Sequence, residues 1–231
     1  MKKLSLLTLL VLLLCAACDK PAPKPTPENP NTPDTPAAPP ANPEKEWMVK
    51  RMTIDATDYT KWVYLNFATG ELVEVTDPAN DLSWDLGLHR YDFKTNGGES
   101  GVGKGAAVRI SKQKILTEEI PTPKDTQWEL DRQGQLLMQF EDDGLGSHRT
   151  KYEMQEANFL LSSECDGSGG FLNKGIITQE GMPPQVYIDN AIFLIRTASG
   201  EIVRLRVLDF QDNKKHRGYI TIQYAMLVAK K

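Results

Sequence analysis

The sequence predicts an all-β domain on an extended N-terminal tail, and three observations lead there. Past Trp47, apolar residues either alternate with polar ones at period two or gather in aromatic and β-branched runs. Clusters of Gly, Asn, Asp and Ser break these runs at short intervals, as turns between strands do. No stretch sustains the 3.6-residue apolar period of a long helix. Short strands at this spacing indicate a sandwich or twisted antiparallel sheets, as a single domain over residues 46–231.

The chain opens on a leader. Lys2 and Lys3 make a basic start, and Leu4 to Leu14 is an apolar run broken only by Ser5 and Thr8. A helix needs ~20 residues to cross a hydrocarbon core, so this shorter run fits a signal peptide over residues 1–17. Lipoprotein processing requires a small residue just before a cysteine, and Ala17-Cys18 supplies it. Cleavage before Cys15 would place the bulky Leu14 there. Cys18 is therefore the expected lipidation site, with plain secretory cleavage after Ala17 as the alternative. Residues 18–45 then form a stalk: Pro21 to Pro43 holds ten of the fifteen prolines. Such a segment buries no core and favours extended polyproline geometry at ~3.1 Å per residue.

Strand signals follow in order. Trp62 to Phe67 is aromatic and β-branched, and Ala68-Thr69-Gly70-Glu71 turns it into Leu72-Val73-Glu74-Val75. Trp84 to His89 alternates at period two, and Ala106 to Ile110 reads as a strand. Asp131-Arg132-Gln133-Gly134 is the expected turn of a hairpin joining Trp128–Leu130 to Leu136–Phe140. Ala198-Ser199-Gly200-Glu201 plays the same part between Ala191–Arg196 and Ile202–Phe210, and Tyr219 to Tyr224 closes the domain.

Charge and cysteine content narrow the function classes. Loss of Lys2 and Lys3 leaves 25 basic against 31 acidic residues, a mature charge near −6. That balance, without a long basic run, disfavours nucleic acid as a partner. With Cys18 lipidated, Cys165 has no disulfide partner, so the fold rests on an ordinary core. Gly98-Glu99-Ser100-Gly101-Val102-Gly103-Lys104-Gly105 has phosphate-loop spacing, yet Gly105 replaces the required Ser or Thr and a strand follows instead of a helix. It reads as a glycine-rich turn. No Gly-x-Ser-x-Gly elbow or Cys–His arrangement is present, and a catalytic reading finds no support.

The histidines divide by context. His89, beside Arg90-Tyr91-Asp92, reads as a hydrogen-bonded structural residue, and His216 sits in a charged hairpin tip. His148 follows Gly144-Leu145-Gly146-Ser147 at a loop-to-strand junction, where binding residues occur. Met182, in Glu180-Gly181-Met182-Pro183-Pro184, is an apolar thioether in a loop with little core to fill.

Several strings resemble the HmuY family, haem-binding lipoproteins of Bacteroidetes. They are Thr53-Ile54-Asp55-Ala56, Asn80-Asp81-Leu82-Ser83-Trp84-Asp85, Leu88-His89-Arg90-Tyr91-Asp92, the glycines from Gly98 to Gly105, Tyr152-Glu153 and Asp209-Phe210-Gln211-Asp212. The resemblance spans nearly the whole mature domain. It implies an all-β fold of twisted antiparallel sheets whose projecting strands and loops clasp non-covalently bound haem. It further implies a surface protein at the outer membrane, anchored or shed, that is no enzyme. Such a protein takes haem from host haemoproteins and delivers it to a TonB-dependent outer-membrane receptor. A surface lipoprotein binding glycan or host protein without haem is the alternative.

The resemblance also bears on the iron ligands. Where family members use two histidines, His148 matches the first and Glu180 falls at the second, and a carboxylate is a poor low-spin ligand. Other members use paired methionines, a role open to Met154 and Met182. His148 and Met154 share strand parity but lie roughly 20 Å apart at ~3.3 Å per residue, so one iron takes only one of them. The expected pair is Met154 with Met182, and His148 with Met182 is the other possibility. Thioether sulfur is soft and neutral and favours ferrous over ferric iron relative to imidazole.

Overall fold

The computed structural model describes residues 44–110, 115–142, 148–181, 183 and 185–230. Residues 1–43, where the sequence predicts a leader, a lipidated Cys18 and most of a stalk, lie outside the described residues, as does Met182. The first half carries β1 (Lys45–Asp55), β2 (Val63–Asn66), β3 (Glu71–Val73), β4 (Leu86–His89), β5 (Asp92–Thr95) and β6 (Ala106–Ile110). The second carries β7 (Arg132–Asp142), β8 (His148–Ala157), β9 (Ile177–Glu180), β10 (Gln185–Ile188), β11 (Ile192–Arg196), β12 (Ile202–Gln211) and β13 (Arg217–Ala229). Among the described residues the helical content is one 3-10 turn, Asp125–Gln127. The all-β prediction holds. Lys45, assigned to the stalk from sequence, is the first residue of β1.

Strands pair antiparallel in a five-stranded sheet of order β1-β13-β12-β11-β6 and a four-stranded sheet of order β3-β2-β4-β5. Period-two alternation explains how they meet. Ile220, Ile222 and Tyr224 of β13 turn one face inward without measurable exposure. Val203, Leu205 and Val207 of β12 share that face, and Leu65, Leu86, Leu88 and Phe93 of the other sheet complete the same core. Each such side chain stabilises by ~1.5–3 kcal/mol on burial, so this shared core holds the sheets face to face. Asp85 adds a polar bolt. Its buried carboxylate accepts the Phe67 N–H at 2.8 Å and the Ala198 N–H at 2.9 Å, tying the end of β2 to the β11–β12 turn.

The glycine-rich stretch joins β5 to β6 and wraps around Asn96. That side chain donates to the carbonyls of Asp81 and Trp84 at 2.7 and 2.8 Å and accepts the Gly103 N–H at 3.1 Å. A Cβ on Gly105 would fall 2.5 Å from the Asn96 backbone. Close backbone approach therefore produces the glycine spacing, and β6 follows it as expected.

The hairpin expected at Asp131–Gly134 is absent. Arg132 to Gly134 lie inside β7, which runs on to Asp142 and pairs with β8, while Glu129 bridges Ala107. Two local facts explain the correction. Asp131 is buried and its carboxylate accepts hydrogen bonds from Thr95 and Asn158, so it works as a tether between segments. Gly134 lies under the Phe159 ring, where a Cβ would come within 2.2 Å of Cζ. A strand glycine can mark such contact rather than a turn. The β9–β10 hairpin went unread in the sequence, because its turn was taken for an open loop.

Candidate functional site

Hairpins β7–β8 and β9–β10 form two-stranded sheets of their own. On β7–β8, one face packs Leu136 and Ala157 against Phe159, Trp62 and Met138. The other face presents the cross-strand pairs Gln133–Glu156, Gln135–Met154 and Leu137–Tyr152. This second face lines a cleft of about 380 Å³, closed opposite by Cys165, Asp166 and Leu172. At Cys165 the cleft meets a smaller pocket of about 60 Å³, bounded by Leu137 of β7, Ile177 and Gln179 of β9, and the Arg90–Tyr91 turn. The two cavities thus run from the face of β7–β8 to β9.

The segment facing β7 is held in place. The Cys165 N–H donates to the Gln135 carbonyl at 2.9 Å, and the Arg132 guanidinium grips Glu164 with two bonds of 2.8 and 2.7 Å. That pairing holds the Glu164 carboxyl below its usual pKa range. The Asp166 carboxylate accepts the Ser168 and Gly170 N–H groups at 2.7 and 2.9 Å, which folds the loop back on itself. Cys165 is free and buried. Burial pushes its thiol up to about 11, so it faces both cavities as a neutral group and not as a thiolate.

Met154 projects from the cleft face of β8 and is 55% exposed, with Leu172 68% exposed across from it. Two large apolar side chains left open in one cleft mark a binding surface. Met182 lies outside the described residues. Its neighbours Gly181 and Pro183 belong to the β9–β10 turn, and Gly181 takes a left-handed φ of 85°. His148 opens β8 with its backbone opposite Asp142, and its side chain lies outside the described residues. The register irregularity of this hairpin falls on β7, between Leu137 and Gln139, so β8 runs regularly from His148 to Met154. Their separation along the strand is roughly 20 Å. Glu180 is engaged elsewhere, in an ion pair with Lys174 at 2.8 Å.

The remaining histidines are structural or exposed. His89 is fully buried against Trp62, with Nε2 2.7 Å from the Tyr59 carbonyl. Its Nδ1 lies 3.9 Å from the Asp92 carboxylate, beyond hydrogen-bond reach. His216 is exposed and meets Asp212 at 2.9 Å in the β12–β13 turn. The Arg90–Tyr91 pocket escaped the sequence reading. Its walls come from segments far apart in the chain, and no local pattern joins them.

The fold and the cleft can be set beside known proteins. The family model for the HmuY protein matches residues 58–224. An apo HmuY analogue of Tannerella forsythia is 18% identical, with a TM-score of 0.57, covering 80% of this chain and 98% of its own. A protein of Bacteroides vulgatus proposed to be an HmuY-like haem-binding protein is 19% identical, with a TM-score of 0.54, covering 76% and 90%. A proposed lipoprotein of Bacteroides fragilis is 21% identical, with a TM-score of 0.53, covering 76% and 88%. No curated relative matches the sequence. At these identities the neighbours show the fold, whereas the family match spans most of the domain. The chain belongs to the HmuY family.

Proposed function

We propose that this protein captures haem at the cell surface, in the cleft between hairpin β7–β8 and the segment 164–172 that closes it. The observation that carries the reading is Met154, an exposed thioether on the one face of β7–β8 that opens into the cleft. The haem-binding description of the Bacteroides vulgatus neighbour supports it. Iron in a bound porphyrin supplies two axial positions for soft or imidazole donors. Met154 and Met182 would take them, with His148 and Met182 as the other pair. Glu180 is already paired to Lys174, and Cys165 holds its proton, so neither competes. Leu137, Leu172 and Phe171 supply apolar surface for a flat macrocycle.

Haem added to the protein in dithionite should give a sharp six-coordinate low-spin spectrum, weaker or altered when the iron is ferric. No spectral change in either redox state would remove the proposal.

The same reading places the protein at the outer membrane, held by lipid on Cys18 and the proline-rich stalk. Haem would come from host haemoproteins and pass to a TonB-dependent receptor. Among the described residues no helix is long and apolar enough to cross a membrane. Cys18→Ala should move the full chain from the membrane fraction to the soluble fraction, and Cys15→Ala should not. Unchanged partitioning of the Cys18 variant would sink the anchor.

A further inference from the structure

The smaller pocket has chemistry that the axial-ligand proposal leaves unused. Its floor is the two-residue turn between β4 and β5, Arg90–Tyr91. Arg90 sits at φ 54°, a left-handed conformation that costs a non-glycine residue energy and persists only where its surroundings fix it. They do so here. The guanidinium lies 4.2 Å over the Tyr59 ring, and its Nη1 donates to the carbonyls of Thr57 and Arg217, each at 3.2 Å. Gly218 passes so close that a Cβ there would fall 2.3 Å from Nη1. Tyr91 in turn packs edge-on against Phe210 at 6.1 Å.

This clamping leaves two donors without a protein partner. Arg90 Nε and the Tyr91 hydroxyl are both buried, and neither meets a hydrogen-bond partner among the described residues. Buried polar groups are satisfied in the great majority of native structures, so two orphaned donors on residues lining one pocket call for an acceptor from outside the chain. Charge narrows the acceptor. Arg90 is cationic, and the Cys165 thiol is neutral. Asp92, the acidic side chain of the lining, has its carboxyl pushed upward by burial. Size narrows it further: about 60 Å³ admits a carboxylate group but no macrocycle.

We propose that the pocket over the Arg90–Tyr91 turn is a carboxylate subsite that receives one propionate of the bound porphyrin. It lies beside the cleft that would hold the ring. Leu137, in its wall, is two residues from Gln135, the cross-strand partner of Met154, a step of roughly 7 Å along β7. A propionate seated here would fix which edge of the porphyrin enters first. This inference rests on the haem-capture reading.

The test uses metal-free protoporphyrin and its dimethyl ester, which remove axial ligation and carboxylate charge in turn. Quenching of porphyrin fluorescence by the full chain should show the free acid binding about tenfold or more tightly than the ester, the scale of one charge-assisted hydrogen bond. Tyr91→Phe keeps the ring and its contact with Phe210. It should weaken the free acid by about tenfold and leave the ester unchanged. Equal binding of acid and ester by the parent protein would overturn the subsite, as would a Tyr91→Phe loss shared by both ligands. If haem still binds in those cases, the capture reading survives the failure. If haem itself does not bind, both fall together.

Discussion

Met182→Ala should abolish the low-spin spectrum of the ferrous haem complex, and this is the largest functional effect we expect. Both proposed ligand pairs use Met182, so its loss would leave the iron with at most one of the proposed protein ligands. Partner substitutions around metal ligands alone cost about 10–100-fold in affinity, and losing a ligand should cost at least that. Met154→Ala should match it if the methionines form the pair, leaving His148→Ala nearly silent. The reverse pattern would assign the site to His148 and Met182. An intermediate result with all three coordinating is sterically closed, because β8 is regular and keeps His148 and Met154 roughly 20 Å apart. Stability offers the control. Met154 is 55% exposed, so its truncation should change unfolding by no more than about 0.5 kcal/mol. If all three variants bind haem like the parent, the ligand assignment is wrong.

The parts of this structure that were legible in the sequence are those where one face of a strand is buried. Ile220, Ile222 and Tyr224 alternate because one face of β13 enters the main core, and that main-core pattern survives in the one-letter string. Ala225 on the other face packs in a smaller cluster with Leu116 and Ile192. Glycine misled where it serves contact: Gly134 fits under Phe159, yet it reads like a turn. Hairpin β9–β10 has strands of four residues each, too short for periodicity to register before Gly181 suggests a loop. The strings resembling the HmuY family turn out to be largely architectural. Trp84 and His89 are wholly buried, and Asp85 bolts two segments together. Those three positions identify the fold, and within the same strings Arg90 and Tyr91 are the residues that bear on the proposed ligand. Met154 is named through the family resemblance, and strand parity only sets it against His148 on the same strand. The Arg90–Tyr91 pocket was not legible, because Tyr59, Ser163 and Gln179 reach it only through the folded chain.

Asp131 should impose a pH dependence on stability that runs against the usual carboxylate pattern. It is 3% exposed, and its oxygens accept the Thr95 N–H at 2.7 Å, the Thr95 hydroxyl at 2.6 Å and the Asn158 amide at 2.9 Å. These bonds tie β5 to the chain entering β7 and leaving β8, the base of the hairpin that carries Met154. Burial outweighs them and raises the carboxyl from 3.8 to about 6. Since the folded pKa is the higher one, the folded state binds this proton more tightly than the unfolded chain does. The stabilisation is complete below pH 3.8 and is lost as pH rises through about 6. A shift of that size is worth about 3 kcal/mol. Asp131→Ala strands the Thr95 and Asn158 donors, each costing ~1–3 kcal/mol, and also deletes the titration. Urea unfolding at pH 4, 5, 6 and 7 should therefore show the gap between parent and variant widest at pH 4 and narrowing by about 2 kcal/mol at pH 7. Subtracting one protein from the other cancels the other buried carboxylates, Asp85 and Asp92, which burial also shifts upward. A gap that stayed constant with pH would mean that Asp131 titrates alike in the folded and unfolded chain. Its hydrogen bonds would then offset its burial in full.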